Sequence, residues 1–227
     1  MAEDVKSRRR YDSPRRRAQA EATRRDILSA AERLFAQQGY AAATMAQIAE
    51  EAGVALKTVY LAFETKSGLL RTLWNVLLRG DEDDRPVGER DWYLAVLEEE
   101  DPERRLRLNA HNSADGKRRL SGILEVIRSA APVDPEIAAL WRRIQAEYHV
   151  NQRAIVERLA ARGDLRPELD TDRAADILWT INHPNTWQLL VATRGWTPDQ
   201  YEQWSADTAC AQLLAPRPHR RRTAKRR

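Results

Sequence analysis

The chain of 227 residues has a single cysteine, Cys210, which excludes an intrachain disulfide framework and the cysteine-rich zinc sites. That usage fits a reducing compartment, and a cytoplasmic setting is expected. Histidine is scarce as well. His111, His149, His183 and His219 are widely separated and form no HxxxH pair, so neither a metal nor a cofactor is expected. The sequence contains no Walker-type phosphate loop, no GxGxxG and no GxSxG, and an enzyme is not expected. No apolar run approaches the ~18–20 residues of a membrane span. The N-terminus is basic but no apolar stretch follows it, so it does not read as a secretory signal. Only nine glycines and ten prolines interrupt the pattern, and no stretch alternates as a strand does. The expected fold is all-α.

What is abundant is charge, at 32% of residues, and it is segregated. Residues 1–25 carry a net +5 and residues 216–227 a net +7. Against a total of +4 this leaves the remaining 190 residues at −8. Basic ends on an acidic body confine affinity for polyanions to particular segments. Residues 8–17, RRRYDSPRRR, lack apolar periodicity and contain Pro14, so residues 1–17 read as a disordered arm. Such an arm either solubilises the chain or places Arg15, Arg16 and Arg17 against DNA, as minor-groove arms do. The closing RPHRRRTAKRR reads as a second disordered basic segment, solubilising or attracting phosphate without regard to sequence.

From Ala18 the pattern turns helical, with Ile27, Leu28, Ala31, Leu34 and Phe35 at three- and four-residue intervals and Gly39 at the end. Thr44 then stands three residues before Gln47, the spacing of a capping box. Ile48, Ala49 and Ala52 give the next helix a small apolar face, and Gly53 supplies a turn. A second short helix, from Ala55 to about Ala62, brings Val59 and Phe63 to one side. Two helices joined by a glycine turn of this length form a helix-turn-helix, whose second helix reads the DNA major groove. They also fit any helical hairpin, so the surrounding sequence decides.

The stretch RRDILSAAERLFAQQGYAAATMAQIAEEAGVALKTVYLAFETKSGLL resembles the N-terminal domain of TetR-family transcriptional regulators. The matching pieces are Ile27-Leu28, Ala30-Ala31, Leu34-Phe35, Gly39-Tyr40, Thr44, Ile48-Ala49, Ala52-Gly53-Val54, Thr58, Tyr60, Phe63, Lys66 and Leu69-Leu70. They cover about a fifth of the chain. The resemblance implies a three-helix DNA-binding domain followed by an all-α domain for ligand binding and dimerisation. It implies that the helix opened by Thr44 positions the reader on DNA, that Tyr60 and Lys66 contact phosphate, and that Lys57 and Thr58 open the reader helix at the groove. The residue types suit those roles. Lysine meets phosphate or guanine, threonine offers a hydroxyl and a methyl, and a tyrosine hydroxyl donates to phosphate. Two features depart from the family pattern. Ala55 replaces the usual capping serine, and Leu61 and Ala62 replace polar or aromatic residues ahead of Phe63.

The expected division is an arm to residue 17, a DNA-binding domain over 18–64, an effector and dimer domain over 65–215 and a tail over 216–227. Residues 65–79 form an apolar linking helix capped by Thr65, and 80–90 form an acidic loop. Asp101-Pro102, Asp134-Pro135 and Thr197-Pro198 each read as an N-cap followed by proline at the first helical position. With a further start near Asp170-Thr171, the predicted helices run 91–99, 102–130, 135–162, 171–193 and 198–214. Gly116 and Gly122 are candidates to bend the second of these. Pro184 should kink the fourth and free the carbonyl of Thr180.

Candidate effector-pocket residues are Trp141, Tyr148, Asn151, Asn182, His183 and Trp187. Asn151 is the polar exception on an apolar stripe and needs a partner, either a ligand or a neighbouring helix or water. The other aromatic and polar groups gather about the Pro184 kink. The seven tryptophans suit an apolar or aromatic effector, a core or a dimer interface equally. The resemblance places a homodimer interface on the last two helices, where Ile181, Leu189, Tyr201, Trp204 and Leu213 are apolar. A helix-turn-helix independently favours a two-fold dimer, to span half-sites ~34–36 Å apart. The expected function is a ligand-responsive regulator of transcription. It would most readily repress by binding palindromic double-stranded operator DNA, with release when a small molecule displaces the linking helix. A low-specificity DNA binder and an all-α interaction protein are the alternatives from other classes.

Overall fold

The computed structural model describes residues 14–79 and 86–216, so what the sequence implies for 1–13, 80–85 and 217–227 lies outside the described residues. Among the described residues there are helices and no strand, apart from one isolated bridge pairing Leu165 with Leu214. No helix among them is long and apolar enough to cross a membrane. The chain divides into two compact units between Asn75 and Val76.

The first unit opens with α1, Pro14–Ala42, interrupted by Gly39 at φ 77°, ψ 170°. The start corrects the sequence expectation. Arg15, Arg16 and Arg17 are helical and exposed, not part of a disordered arm. Pro14 explains this, because its fixed φ suits a first turn, where the missing amide costs nothing. The predicted stripe faces inward, with Ile27, Ala30, Ala31 and Phe35 buried. α2 follows as Met45–Glu51, then α3 as Leu56–Phe63 and α4 as Lys66–Arg79. The unit boundary falls inside α4, ten residues beyond its start, rather than ahead of it.

The second unit contains a single 3₁₀ turn, Val87–Glu89, and then α5 (Asp91–Glu98), α6 (Pro102–Ala130) and α7 (Pro135–Ala161). Asp101 and Asp134 cap α6 and α7 through their carboxylates, and proline stands at the first helical position of each. Gly116 and Gly122 do not split α6; both lie within one continuous helix. The stretch predicted as one helix over 171–193 is α8 (Thr171–Ile181), a short α9 (Pro184–Trp187) and a π-helical segment, Gln188–Thr193. The break falls at Pro184 as expected, and the freed carbonyl of Thr180 accepts from the hydroxyl of Thr186 at 2.8 Å. α10, Pro198–Leu213, starts with a full capping box between Thr197 and Gln200.

α6 packs on α10 and α7 on α8, and the main core forms among Val96, Leu106, Ile155, Leu159, Leu178 and Leu213. Arg105 is buried in this unit. Its guanidinium donates to the carbonyls of Val96, Leu97 and Glu99, closing the C-terminal end of α5. Burial lowers its pKa, and the bonds to those carbonyls offset part of the cost.

Candidate DNA interface and effector site

The candidate reader is built from local caps. Thr44 accepts from the Gln47 amide at 3.2 Å while the Gln47 side chain accepts from the Thr44 amide at 2.9 Å, which fixes the start of α2. Gly53 takes φ 67° in the turn, a conformation that side chains with a Cβ resist. Ala55 then occupies the N-cap of α3 and makes no side-chain cap, as its residue type dictates. Val59 and Phe63 anchor α3 to the domain, at 0% and 5% exposure. The opposite side presents Leu56, Lys57, Tyr60 and Leu61, with Leu61 76% exposed. Thr58 is half-buried between the two sides.

Two cations on this unit are committed inside it. Arg24 donates to the carbonyl of Ala62 at 2.9 Å and stacks over the Phe63 ring at 4.4 Å, so α1 holds the C-terminal end of α3. Lys66 donates to the carbonyls of Tyr40 at 2.7 Å and Ala43 at 2.9 Å and lies over the Tyr40 ring. Those bonds tie the start of α4 to the end of α1, a use the phosphate expectation for Lys66 did not include. Gly68 also went unread in the sequence. A Cβ there would meet the Phe63 carbonyl at 2.6 Å, so only glycine lets α4 begin this close to α3. Arg15, Arg16, Arg17 and Lys57 remain on the exposed surface.

In the helical unit the structure gathers five of the six candidate pocket residues around α6, α7 and α9, and adds several that were missed. Tyr148 donates to the Asn182 carbonyl at 2.8 Å and pairs with Ser113 Oγ at 2.9 Å. Lys117, buried at 5% exposure, donates to Ser113 through both its carbonyl and its hydroxyl, and reaches Tyr148 at 3.5 Å. Its ammonium faces the rings of Tyr201 and Tyr148. Desolvation pushes the Lys117 pKa down to about 7 and the Tyr148 and Tyr201 hydroxyls upward. Asn182 and Asn109 both donate to Gln152 Oε1, at 3.5 and 2.9 Å. His183 packs edge-on against Trp179 and more distantly Trp141, and bonds Gln145 at 2.6 Å. A cavity of ≈ 10 Å³, about one water in size, is lined by Lys117, Leu124, Trp141, Pro184, Trp187 and Gln188, among others.

Two site expectations are corrected. Asn151 is half-buried and joins this cluster with no side-chain bond; its carbonyl accepts from Tyr93 at 2.7 Å. The buried amide on α7 is its neighbour Gln152, because α7 is covered on two sides, by α8 and α6, and its inward face is wider than one stripe. Ile181, Tyr201 and Leu213 belong to the protomer core, not to an outer face, at 7%, 0% and 0% exposure. α8 and α10 spend their apolar stripes on α7 and α6, and the Tyr201 hydroxyl donates to the Ile181 carbonyl at 3.1 Å. Trp204 is half-buried and Leu189 is exposed at 62%. Lys117 did carry a sequence signal. It sits in register with Leu106, Ala110, Ala114, Leu120, Leu124 and Ile127, on the buried stripe of α6.

Comparison with known proteins follows the same lines. Residues 27–73, which span α1 to α4, match the family model of the bacterial regulatory proteins of the tetR family. The chain is 30% identical over 171 residues to the HTH-type transcriptional regulator TtgR of Pseudomonas putida, covering 71% of this chain and 77% of that protein. Among solved structures it is similar to native NalD of Pseudomonas aeruginosa, the secondary repressor of the MexAB-OprM multidrug efflux pump. That match has a TM-score of 0.64 at 24% identity and covers 86% of this chain and 98% of NalD. It is also similar to a regulator from Saccharomonospora viridis in complex with choline. There the TM-score is 0.66 at 19% identity, over 86% of this chain and all of the other. By their descriptions these relatives are regulators of transcription. The chain belongs to the TetR family of transcriptional regulators.

Proposed function

We propose that the protein is a ligand-responsive repressor that binds palindromic operator DNA as a homodimer in the cytoplasm and leaves it when a small molecule enters the helical unit. The observation that carries this reading is the polarity of α3. Val59 and Phe63 hold one side to the domain while Leu56, Lys57, Tyr60 and Leu61 stand outward on the other. Lys57 suits guanine or phosphate, the Tyr60 hydroxyl suits phosphate, and exposed Leu61 suits a thymine methyl. Thr44 and Thr58 frame the turn and the reader start. Arg15, Arg16 and Arg17, on the first turns of α1, add charge for phosphate, and Lys66 braces α4 where it meets α1.

The effector site is the polar and aromatic cluster of Lys117, Trp141, Tyr148, Asn182, His183 and Trp187. α4 begins in one compact unit and ends in the other, which makes it the element through which a ligand would shift the population of DNA-competent dimers. Of the residues expected at a partner-subunit interface, Leu189 is 62% exposed and Trp204 keeps partial exposure beside the core. The likeness to NalD makes an exporter gene the first target to examine.

The test is selection of bound DNA from a random pool, followed by titration of the selected and a random duplex. A palindromic site bound at least 100-fold more tightly than random DNA is expected, with Tyr60→Ala losing about 10-fold on that site. Near-equal affinity for both duplexes, or a selected site indifferent to Tyr60→Ala, would overturn the reader assignment.

A further inference from the structure

Lys117 is a feature of the helical unit that packing does not account for. It lies midway along α6, in register with Leu106, Ala110, Ala114, Leu120, Leu124 and Ile127, and is 5% exposed. Its hydrogen bonds go to neutral oxygens only, two on Ser113 and one on Tyr148. Among the described residues no carboxylate pairs with it. Glu125 shares the cavity wall, but both of its oxygens are held by Arg128, at 2.8 and 2.5 Å. A buried ammonium is expensive to keep without a counter-charge, and core stability would be better served by a leucine at this position. Burial alone pushes its pKa down to about 7, near the point where an arriving anion would hold the proton on.

The surroundings of that ammonium define what could arrive. The cavity that the Lys117 side chain helps to line is walled by Trp141 and Trp187, with Leu124 and Pro184 beside them and the Glu125–Arg128 pair on its rim. Tryptophan faces and an aliphatic floor favour a flat aromatic body. The cavity itself holds only ≈ 10 Å³, so a ligand enters when one wall moves. That wall is Pro184–Gln188, where the helical run is broken at proline and continues into the π-helical segment Gln188–Thr193. Such wide turns are marginal relative to an α-helix and concentrate at functional sites. The chemistry of the site is therefore cationic at one end, aromatic along its sides, and closed by its least regular backbone.

We propose that the effector is a small aromatic carboxylic acid, its carboxylate seated on Lys117 Nζ and its ring against Trp141 and Trp187. The assignment rests on the ligand-responsive reading above and names the class of molecule that site takes. Choline, held by one structural neighbour, is a cation, and this pocket is built for the opposite charge.

The test uses the full chain on its selected, fluorescently labelled operator, with 1-naphthoate and its uncharged counterpart 1-naphthamide as probes. Binding is read by quenching of tryptophan fluorescence and by calorimetry, and operator release by anisotropy. Naphthoate is expected to bind at least 10-fold more tightly than naphthamide and to release the operator. Lys117→Met and Lys117→Gln, checked for helical content and cooperative melting, are expected to bring the two probes to within 2-fold of each other, with naphthamide binding retained. Equal affinity for acid and amide in the parent protein, or naphthoate binding untouched by either variant, overturns the proposal. Release by naphthamide or choline with naphthoate inert also overturns it, while leaving the ligand-responsive reading intact. Inertness of acids, neutral aromatics and cations alike would count against that reading itself.

Discussion

His183 works as a neutral imidazole with both ring nitrogens in use. Nδ1 accepts from the Asn185 amide at 3.0 Å, which obliges Nε2 to carry the proton it gives to Gln145 Oε1 at 2.6 Å. A second proton on the ring would point at an amide hydrogen and break the cap of α9. Desolvation, and then the nearby charge of Lys117, lower its pKa from 6.5 to about 4. The unfolded chain therefore takes up a proton that the folded chain refuses as pH falls from 6.5 toward 4. Stability is lost across that window, by on the order of 1–2 kcal/mol once the ring's partial exposure is allowed for. Lys117 acts in the same sense at higher pH. Its folded pKa near 7 lies below the unfolded 10.5, so stability rises as pH climbs between those values. Urea midpoints measured from pH 4 to 10 should climb in both windows. His183→Asn, which keeps an acceptor for the Asn185 amide, should flatten the acid one, and an unchanged acid slope in that variant would refute this account of His183.

At the scale of the helix, the ends are set by residues acting on their own neighbours, and these were legible in the sequence. Thr44, Asp101, Asp134, Asp170 and Thr197 all cap the helices they were expected to open, because a cap needs only a side-chain oxygen and an amide two or three residues on. Pro184 broke its helix for an equally local reason. Burial was less legible, since it depends on which helices lie alongside. Gln152 rather than Asn151 is enclosed, Tyr201 and Leu213 face the protomer core, and Lys117 and Arg105 are buried within a stretch rich in charge. The reader helix was read correctly down to its missing cap, and that defect gives a sharp prediction. Ala55 already has the extended backbone of an N-cap, at φ −67°, ψ 141°. Ala55→Ser should therefore add the absent bond to the start of α3 without moving the chain, and stabilise the DNA-binding unit by about 1 kcal/mol. Thermal melting of the two proteins measures it, and no gain would mean that the first turn of α3 is already satisfied some other way.

Across the whole molecule, positive charge is concentrated away from the outward side of α3. Excess positive charge sits in residues 1–25 and 216–227, while the body between them is net negative. The outward side of α3 has one cation, Lys57, beside Tyr60 and two leucines, so direct readout of bases has few polar groups to draw on. Affinity should then come largely from phosphate attraction at the ends and selectivity from α3, and the two separate under salt. Each phosphate contact contributes ~0.9 to the slope of log K against log salt, independent of sequence. Removing residues 217–227, which hold seven arginines and lysines, should lower that slope and weaken binding to operator and random duplexes by the same factor. Lys57→Ala should do the reverse, costing operator affinity about 10-fold while random DNA loses far less, in keeping with ~1–3 kcal/mol for a base contact. Both variants titrated on both duplexes between 50 and 200 mM salt, on the order used for such slopes, decide between the two sources. If the shortened chain keeps its slope and loses only its preference for the operator, the tail reads sequence and this division of labour is wrong.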